Sequence, residues 1–483
     1  MHALAQGIAR EEEGGEAPRQ RLDDGDLHGE TEVGDAGRER GALVEEPPGP
    51  QRELAQAVAQ RRRRDRAAQV RDAGEWVCDF IRGAGGEAEL VDWHGQPLAI
   101  GEIRASRDAA AAPTVLCYGH FDVQPPDPLE LWESAPFEPE IRGEYLYGRG
   151  VADDKGQLYL LLSAARELAQ AGELSVNVRF TCDGEEETGG HSILDYLRSN
   201  AERGADAAVI FDSGMIDRGV PAFNIATRGL VYFHITLRTG ERDLHSGIFG
   251  GAALNAAHAL VRTLGAVVAA DGRLAEPLRQ GIRPPTAEEL ASWRALPSGG
   301  HELSAQGANP ADAHAADEFY VRTFAEPALD INGVQSGSPH LQKTVVPVQA
   351  SANVSIRLAP VQDVSVIAGA FEQILRDAAP AGATLDVELW SSAPAGLVPP
   401  DARAVQLGLA AFERALGARP TLIRSGGTLP IVPALSDMGI PSIITGFSLP
   451  NANIHSPNES MLVEYIPLGI AAAKALLQEF AAL

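Results

Sequence analysis

Positive charge, cysteine and long apolar runs are all scarce in this sequence. Lysine and arginine number 40 against 66 aspartate and glutamate residues in a chain of 483, so the formal net charge is -26. This excess of negative charge repels phosphate backbones and anionic lipid surfaces, and we expect no nucleic acid as a partner. No apolar run approaches the roughly 20 residues that a membrane helix needs, so no membrane span is expected.

The cysteines are few and unpaired in their spacing. They lie at positions 78, 117 and 182, an odd set without the pattern of a disulfide framework or a zinc ribbon. Such a set predicts reduced, buried thiols. The N-terminus also lacks the apolar core of a secretion signal. We therefore expect a cytoplasmic protein.

The first 70 residues contain no phenylalanine, tryptophan or tyrosine. A segment rich in charge, glycine and proline buries too little surface to offset the entropy of ordering. We predict that residues 1–70 form a disordered or atypical extension, in which residues 55–70 could make a polar helix. Folded structure is expected to begin near residue 71, and an interaction arm is the alternative role for the extension.

Beyond residue 71, apolar runs typical of strands alternate with a helical pattern. Residues 114–118, 176–182 and 207–211 predict buried strands, and residues 157–171 predict a helix. This alternation predicts an α/β sheet. Each of the three strands runs into polar or acidic residues, and ligands bind at the carboxyl edge of such sheets. The functional site is therefore expected at that edge.

A different pattern occupies residues 221–393. Segments 231–238 and 350–358 predict antiparallel strands, and segments 252–264 and 364–376 predict amphipathic helices. The α/β pattern resumes after about residue 394. We predict a catalytic domain formed by residues 71–220 and 394–483, with residues 221–393 as an inserted α+β domain.

Histidines and carboxylates recur at the predicted strand ends and in two loops. Taken singly, each has an ordinary explanation as a His–Asp pair, a helix cap or a solvated acidic turn. Together they supply the nitrogen and oxygen ligands that suit a pair of catalytic divalent ions. The set comprises His120, Asp153, Asp212, His455 and one of the three consecutive glutamates at 185–187.

Two further carboxylates have roles beside the ligands. Asp122 is separated from His120 by one residue, so both project from one face of an extended chain and Asp122 can orient the imidazole. A glutamate left over from residues 185–187 would act as general base and pass a proton to the leaving nitrogen. Glu186, beside Glu187, is the candidate, although the residues alone do not separate the two roles.

Six motifs resemble the di-metal peptidases of family M20 over residues 71–483, in particular the carnosinase-type dipeptidases. They are GHFDVQP, GRGVADDKGQ, CDGEEETGG, DLHSGIFGG, RSGGTLP and NIHSPNES. The resemblance implies a phosphorylase/hydrolase-like zinc-peptidase α/β domain with an inserted lid that dimerises. It also implies a metallopeptidase that hydrolyses dipeptides or short peptides as a homodimer.

The resemblance assigns individual roles. Glu186 is implied as the general acid/base, Asp122 as the residue that orients His120, and a cis peptide bond is implied after Asp153. Two divalent ions are implied, zinc first and manganese or cobalt as alternatives. The ligands are His120 and Asp212 for the first ion, Glu187 and His455 for the second, and Asp153 as the bridge.

Substrate-binding residues are implied in the same way. His245, from the sequence alone an ordinary loop histidine, would enter the site of the partner subunit and stabilise the oxyanion. Arg357, otherwise a surface arginine on a strand, has a fork that suits a substrate carboxylate. Thr344, Gly427 and Thr428 complete the implied set.

Two alternative functions stay open at this point. Ser425 stands where related dipeptidases often carry a glutamate, and residues 391–400 contain no histidine, so recognition of a free amino end has no assigned residue. The same chemistry would also serve an N-acyl-amino-acid deacylase or desuccinylase. The second alternative is a non-catalytic binding protein on the same fold. The presence of every implied ligand and of the base argues against it.

Overall fold

The computed structural model describes residues 49–58, 66–268, 272–338, 340–427 and 429–483. The predictions for residues 1–48 and 59–65 and for Thr428 lie outside the described residues. All described residues belong to one compact unit, residues 47–483. Its strands are β1 Glu87–Trp93, β2 Gln96–Ile103, β3 Thr114–His120, β4 Glu140–Arg142, β5 Tyr145–Tyr147, β6 Asn177–Asp183, β7 Ala207–Phe211, β8 Ala222–Thr227, β9 Gly229–Arg238, β10 Leu244–His245, β11 Ala328–Gln335, β12 Val345–Val346, β13 Gln349–Leu358, β14 Thr384–Ala393, β15 Gly396–Leu397, β16 Thr421–Arg424, β17 Ser442–Thr445 and β18 Ser460–Leu462.

Helices alternate with these strands in the first and last parts of the described chain. No described helix is both long and apolar enough to cross a bilayer. The helices are α1 Pro50–Val58, α2 Arg66–Gly83, α3 Lys155–Ala171, α4 Ser192–Ser199, α5 Ser246–Phe249, α6 Ala256–Gly265, α7 Ala287–Trp293, α8 Gly299–Ala305, α9 Phe319–Phe324, α10 Val364–Ala378, α11 Arg403–Leu416, α12 Ile431–Asp437 and α13 Tyr465–Glu479. Short 3-10 helices occupy Leu129–Leu131, Glu186–Thr188, Ala201–Arg203, Glu276–Arg279 and Phe480–Ala482.

A nine-stranded mixed sheet forms the larger layer, in the order β1-β2-β6-β3-β7-β17-β8-β15, with β16 also paired to β8. The central strands β6, β3, β7 and β17 are parallel. Every residue of β7 is buried, as expected for a parallel strand covered on both faces. Helix α3 is almost fully buried. Its C-cap is Gly172, whose φ of 71° is the left-handed conformation that glycine favours at the end of a helix.

The second sheet is antiparallel and has the order β11-β13-β9-β14. Buried and half-buried residues alternate along β9, so one face of the sheet lies against a core and the other does not. Ile367 and Phe371 of α10 and Leu260 of α6 close that core. This core is separate from the larger one that the nine-stranded sheet forms with the helices packed on it. We call residues 229–393 the inserted unit.

The predicted start of folding near residue 71 is wrong for the described residues before it. Helix α1 places Leu54 and Val58, four residues apart on one face, in the larger core with no exposed area. Glu53 accepts hydrogen bonds from Arg166 and from the Tyr159 hydroxyl on α3. Composition averaged over 70 residues masked this nine-residue amphipathic helix, whose apolar spacing is visible only locally.

The predicted boundary of the insert also needs adjustment. Strand β8, which the sequence placed in residues 221–393, pairs with β15, β16 and β17 of the nine-stranded sheet. All six residues of β8 are buried. A strand buried on both faces lacks the alternation of apolar and polar residues, so its sequence does not show to which sheet it belongs. The division into two domains remains our proposal, with residue 229 as the start of the insert.

Candidate active site

The predicted ligands lie at the carboxyl edge of the parallel strands. His120 is the last residue of β3, Asp212 directly follows β7, and Glu187 lies in the 3-10 turn after β6. Asp153 precedes α3, and His455 lies in the loop between β17 and β18. Parallel pairing of β3 with both β6 and β7 brings these ends side by side. The topology therefore explains why residues far apart in sequence meet here.

Asp153 lies between two histidines. Its Oδ1 is 3.0 Å from His120 Nε2, and its Oδ2 is 2.9 Å from His455 Nε2. Glu187 Oε2 is 3.2 Å from the same nitrogen of His455. One ligand atom from each of His120, Asp153 and Glu187 falls within a common span of 4.8 Å. A carboxylate with one oxygen directed at each histidine has the geometry of a bridge.

A layer of hydrogen bonds fixes the direction of these side chains. His120 Nδ1 lies 3.2 Å from the carbonyl oxygen of Asp122 and 3.4 Å from its Oδ1, which favours a proton on Nδ1 and leaves Nε2 free to bind a cation. The backbone N–H of Glu187 donates to Asp122 Oδ2 at 3.1 Å. Gln124 donates to Glu187 Oε2 at 2.9 Å. Asp122 and Gln124 thus connect the end of β3 to the 3-10 helix that carries Glu187.

The backbone around Asp153 is unusual. The peptide bond between Asp153 and Asp154 is cis, which confirms the expectation drawn from the resemblance. Asp154 Oδ2 accepts a hydrogen bond from the His120 N–H at 3.1 Å. A Cβ atom at position 119 would lie 2.7 Å from that same oxygen, so any larger residue there would displace the Asp154 carboxylate. The loop and the strand end are in close contact.

The electrostatics of the cluster favour positive charge. Burial raises the pKa of Asp212 to about 7 and that of Glu186 to about 8, against the opposing effect of His120. Hydrogen bonds to Asp153 and then Glu187 raise the pKa of His455 to about 10. Burial alone would raise the pKa of Asp153, but hydrogen bonds from His120 and His455 lower it. Carboxylates gathered this closely are stabilised by cations.

The donor set therefore fits a pair of divalent ions. It offers imidazole nitrogens and carboxylate oxygens without cysteine, which suits zinc, manganese or cobalt in a catalytic site. Asp154 Oδ1 is buried and accepts no hydrogen bond from the described residues. Buried carboxylate oxygens of this kind require a compensating charge nearby.

The predicted substrate residues fall into two groups. Arg357, on β13, and Gly427 are joined through Arg228, whose N–H donates to the Gly427 carbonyl at 2.9 Å. The Arg228 side chain donates to the Glu326 carbonyl at 3.0 Å and lies 3.5 Å from the Arg357 carbonyl. This group lies where β8 passes into β9, next to the catalytic sheet.

His245 and Thr344 form the other group. Strand β10 pairs with β12, so His245 lies opposite Val345. Ser246 donates to the Thr344 carbonyl through its N–H at 3.1 Å and its hydroxyl at 2.9 Å. His245 is exposed, and its Nδ1 accepts from the Gly247 N–H. Among the described residues, no hydrogen bond or ion pair joins His245 or Thr344 to the proposed ligands.

The sequence profile of peptidase family M20/M25/M40 matches residues 116–479, which is most of the chain. The chain belongs to this family. Membership confirms the resemblance found in the motifs, and with it an enzyme that hydrolyses peptide bonds in a metal-dependent reaction. The alternative of a non-catalytic binding protein has no support from the family match.

Individual M20 relatives agree with this assignment. The Beta-Ala-His dipeptidase of Homo sapiens is 30% identical over 345 residues, which cover 68% of this chain and 67% of that enzyme. The Cysteinylglycine-S-conjugate dipeptidase of Corynebacterium striatum is 30% identical over 377 residues, 76% of this chain and 81% of that enzyme. The crystal structure of an M20 family metallo-carboxypeptidase from Sulfolobus solfataricus matches with a TM-score of 0.79 at 24% identity, covering 90% of this chain and 100% of that one. The predicted fold class is confirmed.

The structure also places three residues against the predicted site residues that the sequence analysis did not select. Gln124 lies two residues after Asp122 in the GHFDVQP motif, so strand alternation would have placed it on the same face. Glu459 lies four residues after His455, and its carboxylate contacts the loop of Asp153. Arg228 connects Arg357 with Gly427. Glu459 lies within the NIHSPNES motif, which could have drawn attention to it, whereas Arg228 carries no sequence signal that distinguishes it from a surface charge.

Proposed function

We propose that this peptidase is a dipeptidase whose site binds two divalent ions. The observation that carries the proposal is the position of Asp153, whose oxygens lie 3.0 and 2.9 Å from two different histidines. A carboxylate placed in this way can bridge two cations, which a one-ion structural site does not need. The proposed ligands are His120 and Asp212 for one ion, Glu187 and His455 for the other, and Asp153 for both.

Zinc is the proposed ion, with manganese and cobalt as alternatives that the same ligands accept. When bound, the ions supply Lewis-acid polarisation of the scissile carbonyl and a water nucleophile at neutral pH. Asp122 holds the His120 ring so that Nε2 faces the site. The hydrogen bonds from Gln124 leave the Glu187 carboxylate a single orientation. These hydrogen bonds thus orient two of the proposed ligands, His120 and Glu187.

Glu186 is the proposed general base. Glu187 is hydrogen-bonded to Gln124 and contacts His455, and Glu185 accepts from the Ser192 N–H at 2.7 Å, so both neighbours have other roles. Burial raises the pKa of Glu186 to about 8, and cations beside it would favour its ionised form. The carboxylate would take a proton from the attacking water and deliver it to the departing amide nitrogen.

The proposed substrate is a dipeptide with a free carboxyl end. Arg228 contacts the main-chain carbonyls of both Arg357 and Gly427, and an arginine fork binds a carboxylate through two parallel hydrogen bonds. We propose that Arg357 and Gly427, with Thr428, fix that end of the substrate. Relatives named as dipeptidases that cover two thirds or more of the chain support this substrate class.

We propose a homodimer in which His245 and Thr344 complete the site of the other subunit. These residues lie on the paired segments around β10 and β12 of the inserted unit, and both are exposed. Two apolar side chains next to His245 are also exposed, Ile248 by 71% and Phe249 by 44%. An exposed functional histidine flanked by apolar side chains suits an interface between subunits.

We also propose a cytoplasmic location. Cys78, Cys117 and Cys182 are all free and buried. Burial raises the pKa of the Cys78 thiol to about 11, so little thiolate forms at neutral pH. Three thiols without a disulfide are typical of a reducing compartment.

A substrate panel tests the proposed function. The enzyme is stripped with a chelator, reloaded with zinc or manganese, and assayed on dipeptides, tripeptides and N-acyl amino acids. We expect dipeptide hydrolysis that chelation abolishes and metal restores. Turnover of acyl amino acids without any dipeptide hydrolysis would establish the deacylase alternative, and hydrolysis that survives chelation would overturn the metal mechanism.

Sharing of sites between subunits predicts complementation. His245→Ala should lower kcat by about 10²–10³-fold, as expected when one oxyanion donor is lost. Glu186→Gln should also be nearly inactive, because it lacks the base. The two variants are co-expressed, each with a different purification tag. A mixed dimer contains one intact site, so it should have about half of the wild-type activity.

The matched control for complementation is a mixed dimer of Glu186→Gln with Asp153→Asn. Both of these substitutions damage the part of the site that one subunit supplies, so no intact site can form. Purification through both tags ensures that only mixed dimers are assayed. Absence of recovery in the His245→Ala mixture, at unchanged dimer content, would show that His245 serves its own chain.

A further inference from the structure

Glu459 holds the loop that carries Asp153 through four hydrogen bonds. Its Oε1 accepts from the N–H groups of Ala152 at 2.9 Å and Asp153 at 3.1 Å. Its Oε2 accepts from the Gly150 N–H at 2.9 Å and from Arg149 Nη1 at 2.7 Å. The donors lie 306 to 310 residues away in the sequence. One side chain therefore accepts hydrogen bonds from three backbone N–H groups of this loop, which would otherwise lack an acceptor.

The pair that Glu459 forms with Arg149 is fully inside the protein. The Glu459 side chain has no exposed area and that of Arg149 is 1% exposed. Arg149 also donates to the Pro125 carbonyl at 3.4 Å, and its guanidinium lies 5.4 Å from the ring of Trp132. A carboxylate buried to this degree is tolerated because a cation and several N–H groups surround it.

The same segment also carries His455. Glu459 lies four positions after His455, and both His455 and Asn458 have positive φ, at 62° and 61°. Strand β18 begins directly after Glu459 and pairs with β5, with Ser460 opposite Tyr147. The Gly148 N–H donates to the Glu459 carbonyl at 3.0 Å. The main chain and the side chain of Glu459 thus connect the loop that carries His455 to the loop that carries Asp153.

We propose that Glu459 is a positioning residue of the metal centre, whose carboxylate fixes the backbone of Asp153 relative to His455. This inference rests on the proposed function, because it takes both residues as ligands. The Asp153 oxygen that faces His455 is 2.9 Å from it, so a shift of the loop by a fraction of that distance would separate the two ligand atoms. Such outer partners are typically worth about 10–100-fold in metal affinity.

A purely structural role for this buried pair is the competing explanation, and the fold offers a comparison. Glu102 of β2 and Arg179 of β6 form a second acid–arginine pair, with two hydrogen bonds of 3.2 Å. Arg179 lies four residues before the end of β6, away from the carboxyl edge that carries the ligands. Glu102→Gln removes the charge of an ion pair in the nine-stranded sheet and leaves the loops of the proposed ligands unchanged.

The test compares zinc binding by the full-length wild type, Glu459→Gln, Glu459→Asp and Glu102→Gln. Zinc is removed with a chelator and returned in competition with a chromophoric chelator, and thermal unfolding is followed with and without zinc. A glutamine amide has one acceptor oxygen and presents an NH₂ group to the remaining donors. Glu459→Gln should therefore bind at least one zinc ion about 10–100-fold more weakly, with kcat lowered and KM changed less than about twofold.

Glu459→Asp keeps the charge beside Arg149 but reaches one methylene less far, so it should fold and recover part of the affinity. Glu102→Gln should lower the unfolding temperature equally with and without zinc and leave zinc affinity within about twofold. If Glu459→Gln folds and binds zinc with wild-type affinity, the positioning role is overturned. If Glu459→Gln does not fold, the same result with Glu459→Asp overturns it. Failure of the wild type itself to bind two zinc ions would overturn the proposed function instead.

Discussion

Replacing Glu186 by glutamine should lower kcat by about 10²–10⁴-fold, the usual contribution of general acid–base catalysis. Glutamine has almost the same shape but cannot accept the proton of the attacking water or pass it to the leaving nitrogen. Because Glu186 is not a proposed ligand, metal content should stay at the wild-type value. KM should also change little, since the substrate contacts remain. Steady-state kinetics with metal analysis on the same samples measures both quantities.

The adjacent glutamate provides the matched control. Glu185 is 8% exposed, and its carboxylate accepts from the Ser192 N–H at the start of α4. A glutamine at 185 can accept the same hydrogen bond, so Glu185→Gln should have nearly wild-type kcat. If Glu186→Gln keeps full activity while Glu185→Gln loses it, the base has been assigned to the wrong glutamate.

Asp153→Asn should reduce both metal affinity and activity more than any other ligand substitution. The amide keeps one oxygen but turns an NH₂ group toward one of the two histidines, and it removes the negative charge between the ions. Loss of an outer-shell partner already costs about 10–100-fold in affinity, so loss of the bridge should exceed about 100-fold. Isothermal titration of the metal-free protein with zinc gives the affinity of each site.

Stability provides a second measure of the same substitution. Metal that binds only the folded state stabilises it by about 2.7 kcal/mol when its concentration is 100 times Kd. Asp153→Asn should lose most of this zinc-induced shift in unfolding temperature. Asp363→Asn, which replaces the cap of α10 by another good capping residue, should keep it. An Asp153→Asn protein with an unchanged zinc-induced shift would contradict the bridging role.

The sequence predicted where the ligands gather because strand topology determines it. His120, Asp212 and the glutamates follow three strands, and parallel strands end at one edge, so their proximity did not depend on side-chain detail. Histidine in a loop, such as His455, has no such rule. It joined the set through composition and through the NIHSPNES motif, and the structure places it 2.9 Å from Asp153.

Assignments that depend on hydrogen-bond direction could not be read from the residues. Three consecutive glutamates look alike in a sequence, and only the structure shows that Glu185 caps α4 and that Glu187 contacts Gln124 and His455. Glu459 lies in the NIHSPNES motif, but its role could not be read there, because the donors that surround it lie more than 300 residues away. Long-range pairing of this kind leaves no local pattern.

Composition and periodicity also failed at particular places for physical reasons. Leu54 and Val58 are two apolar residues in a strongly charged stretch, too few to raise its average hydrophobicity but enough to attach α1 to the core. Strand β8 is buried throughout and therefore lacks alternation, so the start of the inserted unit was placed several residues too early. Averages describe long segments, whereas a short helix or a buried strand depends on one or two side chains.

Diffraction from crystals containing zinc, recorded at the zinc absorption edge, tests the central claim most directly. We predict two anomalous peaks in each subunit, both adjacent to the Asp153 carboxylate. One should be bounded by His120 and Asp212 and the other by Glu187 and His455. A single peak, or peaks away from Asp153, would contradict the two-ion site on which the proposed function depends.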